Sequence, residues 1–220
     1  LAYYCYYCMF YGCTSLTSAP ELPAIELEER CYQGMFDGCT SLKTAPDLPA
    51  TKLVSHCYKS MFRGCKKLTS APKLPAKTLA YYCYSTMFSG CTSLTSAPEL
   101  PAIELEERCY QGMFDGCTSL TSAPELKATT LAEGCYYTMF KNCTKLSSVT
   151  MLAPSTAIES TDNCVAGWLQ NAGKTTSRTL KLQDKNAYEA LKANTDYLPT
   201  IWQIGSNCTV LDNAGNAITE

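Results

Sequence analysis

The sequence predicts an α/β repeat solenoid, with short parallel strands on one side and short helices on the other. Three observations lead there. Met9, Met35, Met61, Met87, Met113 and Met139 stand 26 residues apart, each followed by Phe. Two cysteine columns keep the same step, one from Cys5 to Cys135 and one from Cys13 to Cys143. Within each period, a stretch with apolar residues at every fourth position precedes a stretch broken by proline. A fixed period of about 20–50 residues marks an array in which each unit buries its apolar face only against its neighbours.

The elements of one unit follow in order from residues 51–76, "TKLVSHCYKSMFRGCKKLTSAPKLPA". Thr51 suits a helix N-cap. Leu53, Cys57 and Met61 step by four, with Tyr58 and Phe62 beside them, so the spacing predicts an amphipathic helix. Gly64 is placed to end it. Leu68 then opens a short strand predicted to reach Ala71. Pro72 and Pro75 lack an N–H and cannot donate to a ladder, so the chain should return in extended form.

Residues 1–42 match residues 79–120 except at Tyr7, Cys8 and Tyr11. That offset equals three units, which points to duplication of a block. Beyond Leu152 the pattern decays. Cys164 takes the place of the first cysteine, Trp168 that of Met and Leu169 that of Phe, with three extra residues inserted. Residues 179–183 read as a strand, 186–194 as a short helix and 207–220 as a hairpin around Asn213–Gly215. The expected organisation is six 26-residue units over 1–152, with the N-terminus cut within a unit, and a degenerate seventh unit plus C-terminal cap over 153–220.

Apolar residues make up 46% of the 220 and charged residues 17%, a composition able to bury a core. The net charge of −2 gives no general attraction to nucleic acid. No apolar run approaches the ~18 residues that span a membrane.

The recurring "MFxGCTSLTS", the leucine-and-proline return and the following "CYxxMF" resemble BspA-like leucine-rich repeats. The resemblance is strong over about residues 1–152 and weak beyond. It implies a right-handed leucine-rich-repeat array and a secreted or cell-surface bacterial protein that adheres to or binds a partner. It brings no catalytic residues and no cofactor. "SAPEL" stands where the family carries β-branched strand residues, which predicts shortened strands.

Fifteen cysteines admit three readings. As core residues they are small hydrophobes. Disulfides within a unit are excluded if the run is helical, because eight residues at ~1.5 Å rise separate the pair by about 12 Å. Bridges between neighbouring units remain open at a spacing of ~5 Å. Structural zinc wants paired cysteines, and Cys5-x-x-Cys8 has no second pair. The core ladder is the expected state and no metal is expected. Cys8 replaces Gly34, Ser60, Thr86, Gly112 and Thr138 of the other units and is expected to be a partly exposed thiol.

Candidate chemistry is sparse. His56 is expected on the outer surface, and Glu26, Glu28, Glu29 and their copies Glu104, Glu106 and Glu107 in a first helical turn, where the helix dipole favours acids. No enzyme activity is expected. The binding candidates are Tyr4, Tyr7 and Tyr11, which a helix turning ~100° per residue would bring onto one outward stripe. The second and third units are polar there, with Arg30, Gln33 and Asp37 or His56, Lys59 and Arg63, and the duplicate unit has Tyr82 but then Ser85 and Ser89, so the aromatic triplet belongs to the first unit alone. The sequence thus predicts a non-catalytic interaction or adhesion module whose partner is a host or bacterial protein or glycan, with weak self-association through the same rings. The alternative is a structural spacer that projects another domain from the cell surface. Neither nucleic-acid binding nor membrane insertion is expected.

Overall fold

A computed structural model describes all 220 residues. Units stack in parallel, as predicted. On the strand side, Ser18, Thr44, Ser70 and Ser96 form a chain of parallel bridges, one residue per unit. Longer strands are confined to the C-terminal part: β1 (Ser122–Leu126), β2 (Ser148–Met151), β3 (Arg178–Leu182) and β4 (Cys208–Leu211), a parallel sheet in the order β1-β2-β3-β4. Proline explains the contrast. Pro20, Pro46, Pro72 and Pro98 follow the bridging residues by two and have no N–H to extend the pairing. Pro124 lies inside β1, and the register to β2 shifts there, between Ser122 and Glu125. In β2 the position holds Thr150, and pairing with β3 runs uninterrupted.

The opposite side departs from the predicted helix. Along residues 54–64, Cys57, Lys59, Met61 and Arg63 donate their N–H three residues back, to Val54, His56, Tyr58 and Ser60, each at 3.2 Å. The alternate N–H groups leave the unit. His56, Tyr58, Ser60, Phe62 and Gly64 donate to the carbonyl oxygens of Tyr81, Cys83, Ser85, Met87 and Ser89 in the next unit, at 2.7–3.0 Å. An α-helix would send every N–H four residues back. This run is instead a series of linked β-turns with a left-handed residue at every fourth position: His56 at φ 58°, Ser60 at 55° and Gly64 at 70°. That is the position where a type II turn demands positive φ. Two linked turns advance four residues, so the apolar residues still line one face, and over three steps apolar spacing cannot tell the two backbones apart. True helices occur only in the C-terminal part, as α1 (Ser155–Ser160) and α2 (Lys185–Lys192).

Each apolar position becomes a column through the stack. Met35, Met61, Met87, Met113 and Met139 are at most 1% exposed, and the leucine column from Leu42 to Leu146 is fully covered. Tyr6, Tyr32, Tyr58, Tyr84, Tyr110 and Tyr136 stack with ring centroids 5.4–6.0 Å apart. The phenylalanines from Phe10 to Phe140 form a second ladder at 5.5–5.7 Å. Such offset aromatic contacts add roughly 0.5–1.5 kcal/mol beyond their area burial.

All fifteen cysteines are free thiols. In the second column, Cys39, Cys65, Cys91, Cys117 and Cys143 donate Sγ–H to the carbonyls of Phe10, Phe36, Phe62, Phe88 and Phe114 in the preceding unit, at 3.0–3.2 Å. Cysteine at this position therefore fills apolar volume and also gives a carbonyl that already accepts one backbone N–H a second donor, which alanine or valine would not. Burial pushes the five thiols of this second column up, and in the first column raises Cys83 and Cys135 to about 12.

Polar pairs that differ from unit to unit decorate the stack. Arg63 pairs with Asp37, Ser60 with Thr86 at 2.7 Å, Arg108 with Tyr82 at 3.0 Å and Asn142 with Asp115 at 2.9 Å.

A seventh turn run continues the array. Tyr136, Thr138, Phe140 and Asn142 donate to Cys164, Ala166, Trp168 and Gln170 at 2.8–2.9 Å. The offset here is 28 residues rather than 25, and α1 lies in the inserted stretch. Arg178, 8% exposed, then locks the cap without an acid. Its guanidinium donates to the carbonyls of Gly173, Thr175 and Ile201 at 2.7–2.9 Å, and to that of Ser206. The chain closes with a turn in which Asp212 accepts from the Asn216 backbone and side chain, folding Ala217 back against Leu211.

Candidate binding surface

The turn run of the first unit positions its tyrosines. With a four-residue advance, Cys5, Met9 and Cys13 share one face, and Tyr3, Tyr7 and Tyr11 share another. Tyr4 is the left-handed residue of the turn Ala2–Cys5, at φ 58°. Exposure is 57% for Tyr3, 38% for Tyr4, 46% for Tyr7 and 61% for Tyr11. Tyr4 packs edge-on against Tyr3 at 4.4 Å and against Tyr7 at 5.2 Å. Tyr11 joins no ring pair. The Arg30 guanidinium lies 5.5 Å from the Tyr4 ring centre and bonds Glu29 at 3.2 Å. The structure thus brings together Tyr4 and Tyr7 of the expected trio, adds Tyr3 and leaves Tyr11 apart on the same side. Helical phase hides Tyr3, whereas a strict step of four reveals it.

Cys8 is a partly exposed free thiol, as expected; its Sγ occupies the space above Gly34, where an added Cβ would come within 2.9 Å of it. Cys5 and Cys13 are exposed. The Cys8 thiol also pushes the neighbouring Tyr7 phenol upward.

His56 corrects the sequence reading. It is 8% exposed, stacked on Tyr82 at 5.1 Å, edge-on to Tyr81 at 5.3 Å and within 2.7 Å of the Ser55 hydroxyl. Desolvation, reinforced by Arg30 and Lys59, lowers it to about 4. Lys59 lies 4.4 Å from the Tyr82 ring centre and Arg108 5.8 Å. This cation-flanked ring was missed because its members come from three units. The signal lay in the column that aligns His56 with Tyr82 and Arg108.

The acidic residues converge on nothing. Glu29 and Glu107 pair with the adjacent Arg30 and Arg108, and Arg108 reaches Glu133. None of these residues lies in a helix, and Glu104 forms a bridge to Thr130, so the helix-dipole reading fails. Asn142, the first residue of an N-x-[ST] stretch, spends its amide on Asp115 at 2.9 Å. On the proline side, adjacent units enclose open grooves. One of them, about 640 Å³, runs between Pro72, Leu74, Pro75, Pro98, Glu99 and Pro101.

The family model for the BspA-type leucine-rich repeat region matches in six copies, over residues 4–121 and 58–170. The chain belongs to the BspA-type leucine-rich-repeat family. No curated protein matches it. BspA-type repeats are protein-interaction modules, generally non-enzymatic and typical of surface proteins. No helix of this BspA-type chain is long and apolar enough to cross a membrane.

Proposed function

We propose that this chain is a non-catalytic extracellular module that binds a protein or glycan partner, secreted or held at the surface of a bacterium, with its contact centred on Tyr4, Tyr7 and Tyr11 and extended by Tyr3. The observation that carries the reading is the exposed aromatic surface of the first unit, in which Tyr3, Tyr4 and Tyr7 touch and Tyr11 lies apart on the same side. Monomeric proteins seldom display clustered rings without a use for them, and tyrosine supplies contact area with a hydrogen-bonding tip at low entropic cost. Arg30 beside Tyr4 adds a donor at its edge. The division into an array over 1–152 and a closing cap over 153–220 belongs to the same proposal, the cap serving to cover the last apolar face.

The experiment is a protein and glycan array probed with the chain and with its Tyr7→Ser/Tyr11→Ser variant, which copies Ser85 and Ser89 of the duplicate unit. Binding that the variant loses supports the reading. Partners retained at full strength place the contact elsewhere. No partner for either chain, together with unchanged sedimentation, favours the spacer.

A further inference from the structure

One half-buried cation of the outer face stands without a partner acid. Along that face Arg30 pairs with Glu29, Arg63 with Asp37, and Arg108 with Glu107 and Glu133. Lys59 pairs with no carboxylate. Its ammonium lies 4.4 Å from the Tyr82 ring centre. Desolvation, reinforced by Arg30, holds it below the usual lysine range. The ring face favours this charge and the loss of water disfavours it, so an anion brought against it gains more than at an open surface.

Beside Lys59 stands an open ring. Tyr81 is 42% exposed and meets Tyr82 edge-on at 4.4 Å and 80°, and His56 edge-on at 5.3 Å. Tyr82 itself is closed. His56 stacks on it at 5.1 Å, and Arg108 lies 5.8 Å from its centre and donates to its hydroxyl at 3.0 Å. Tyr82 thus braces Tyr81 and seats Lys59, and Tyr81 is the ring a ligand reaches. The duplicate pair Tyr3–Tyr4 meets at the same 4.4 Å and 79°, so the repeat backbone sets the ring geometry. Lys59 and His56 come from the third unit, and no other unit repeats them. The lysine column elsewhere holds Tyr7, Gln33, Ser85, Gln111 and Tyr137.

The surroundings give this place a direction. Toward the third unit lies Lys59, while His56, held at about 4, carries no charge at neutral pH. Toward the fifth unit lies Glu107, which together with desolvation and Tyr82 pushes the Tyr81 phenol upward. A ligand stacked on Tyr81 is therefore drawn to set an anionic group at Lys59 and hydrogen-bond donors at Glu107. A carboxylated sugar has that make-up. Its C–H face suits the negative face of the ring, its carboxylate leaves from one edge, and its hydroxyls line the other. An acidic peptide has the charge without the flat C–H face.

We infer that Tyr81 and Lys59, at the junction of the third and fourth units, form a binding site for a carboxylated sugar, with Tyr82, His56 and Arg108 holding the pair in place. The site does not rest on the first-unit tyrosine contact.

The test is calorimetric titration of the chain with oligogalacturonate and with sialyllactose, beside carboxyl-reduced oligogalacturonate, lactose and poly-glutamate. At least one acidic sugar should bind, and its uncharged counterpart should bind about tenfold more weakly, as loss of a charge-assisted contact implies. Lys59→Gln copies Gln33 and Gln111, and Tyr81→Ser copies Ser55. Each should weaken that binding by about tenfold, whereas Tyr7→Ser/Tyr11→Ser should leave it unchanged. Fluorescence of Trp168 and Trp202, both in the cap, confirms that each variant is folded. If a variant fails to fold, the native chain decides through the charged and uncharged pair and through protection of Lys59 from acylation by the bound sugar. The inference is overturned if neither acidic sugar binds, or if an uncharged counterpart or poly-glutamate binds as tightly. It is equally overturned if Lys59→Gln or Tyr81→Ser binds at full strength, or if Tyr7→Ser/Tyr11→Ser is the variant that loses the sugar.

Discussion

Replacing Ser60 by glycine and, separately, by alanine gives results of opposite sign for the two backbones the sequence allows. Ser60 sits mid-run at φ 55°, its N–H bonded to Ser85 at 2.9 Å and its hydroxyl to Thr86 at 2.7 Å. Both substitutions lose the hydroxyl bond and keep the backbone one, so their difference isolates the conformational preference. In a helix interior alanine is better than glycine by about 1 kcal/mol. In the left-handed region an L side chain costs roughly 1–2 kcal/mol that glycine avoids. The greater freedom of glycine in the unfolded chain returns about 0.4–1 kcal/mol of that. The turn run therefore predicts Ser60→Gly more stable than Ser60→Ala by about 0.5–1 kcal/mol, or ~1–4 °C in Tm for a chain of this size. Paired thermal melts by circular dichroism are sufficient. Alanine coming out the more stable would refute the turn-run geometry and restore the helix.

Three further outcomes follow from the packing. Arg178→Met should destabilise the cap by about 3 kcal/mol or more, since it strands buried carbonyls that the guanidinium alone reaches; urea unfolding followed through Trp202 measures it, and a loss under 1 kcal/mol would mean water replaces the guanidinium. His56 is held at about 4 against an ordinary 6.5, so the neutral ring favours the fold and its contribution, complete above pH 6.5, is lost as pH falls towards 4. His56→Tyr, which copies Tyr4 and Tyr82 of the same column, should flatten the stability profile across that window, and an unchanged slope would show the imidazole is solvated. Native labelling should modify Cys5, Cys8 and Cys13 rapidly and the twelve buried thiols only on unfolding, with fifteen thiols titrating in denaturant without reductant; a shortfall in that total would reveal disulfides.

How far the sequence could be read depended on what repeats in it. Columns such as Met9 to Met139 set the period, the stacking and the inward face, because a residue type that recurs in register must meet its own kind in a neighbour. Proline placement foretold the shortened strands. The turn run escaped because Leu53, Cys57 and Met61 satisfy a step of 3.6 or of 4 equally well over so few residues. The discriminating residues were Gly34 with Gly38, Gly112 with Gly116 and Asn142, small or left-handed-tolerant types at fourfold spacing, all with φ between 58° and 76°. At the candidate surface, Tyr4, Tyr7 and Tyr11 were legible because the first unit alone carries tyrosine at all three positions, where the duplicate unit has Tyr82 with Ser85 and Ser89. Tyr3 was not, since it depends on the phase of the run, and the His56–Tyr82 stack shows only when the units are aligned column by column.

The polar pairs that differ between units bear on a hazard peculiar to near-identical copies. A chain whose second unit stacked directly on its fourth, with the third looped out, would recover the same backbone bonds, the same aromatic overlaps and the same thiol contacts. Closing such a loop carries only a slowly growing entropic penalty. What the slipped arrangement could not recover are the couplings that the third unit makes to its two neighbours and that are written once: Arg63 with Asp37 and Ser60 with Thr86. Small in energy when exposed, these couplings act as alignment marks. They identify which copy belongs beside which, a distinction the otherwise interchangeable columns cannot make.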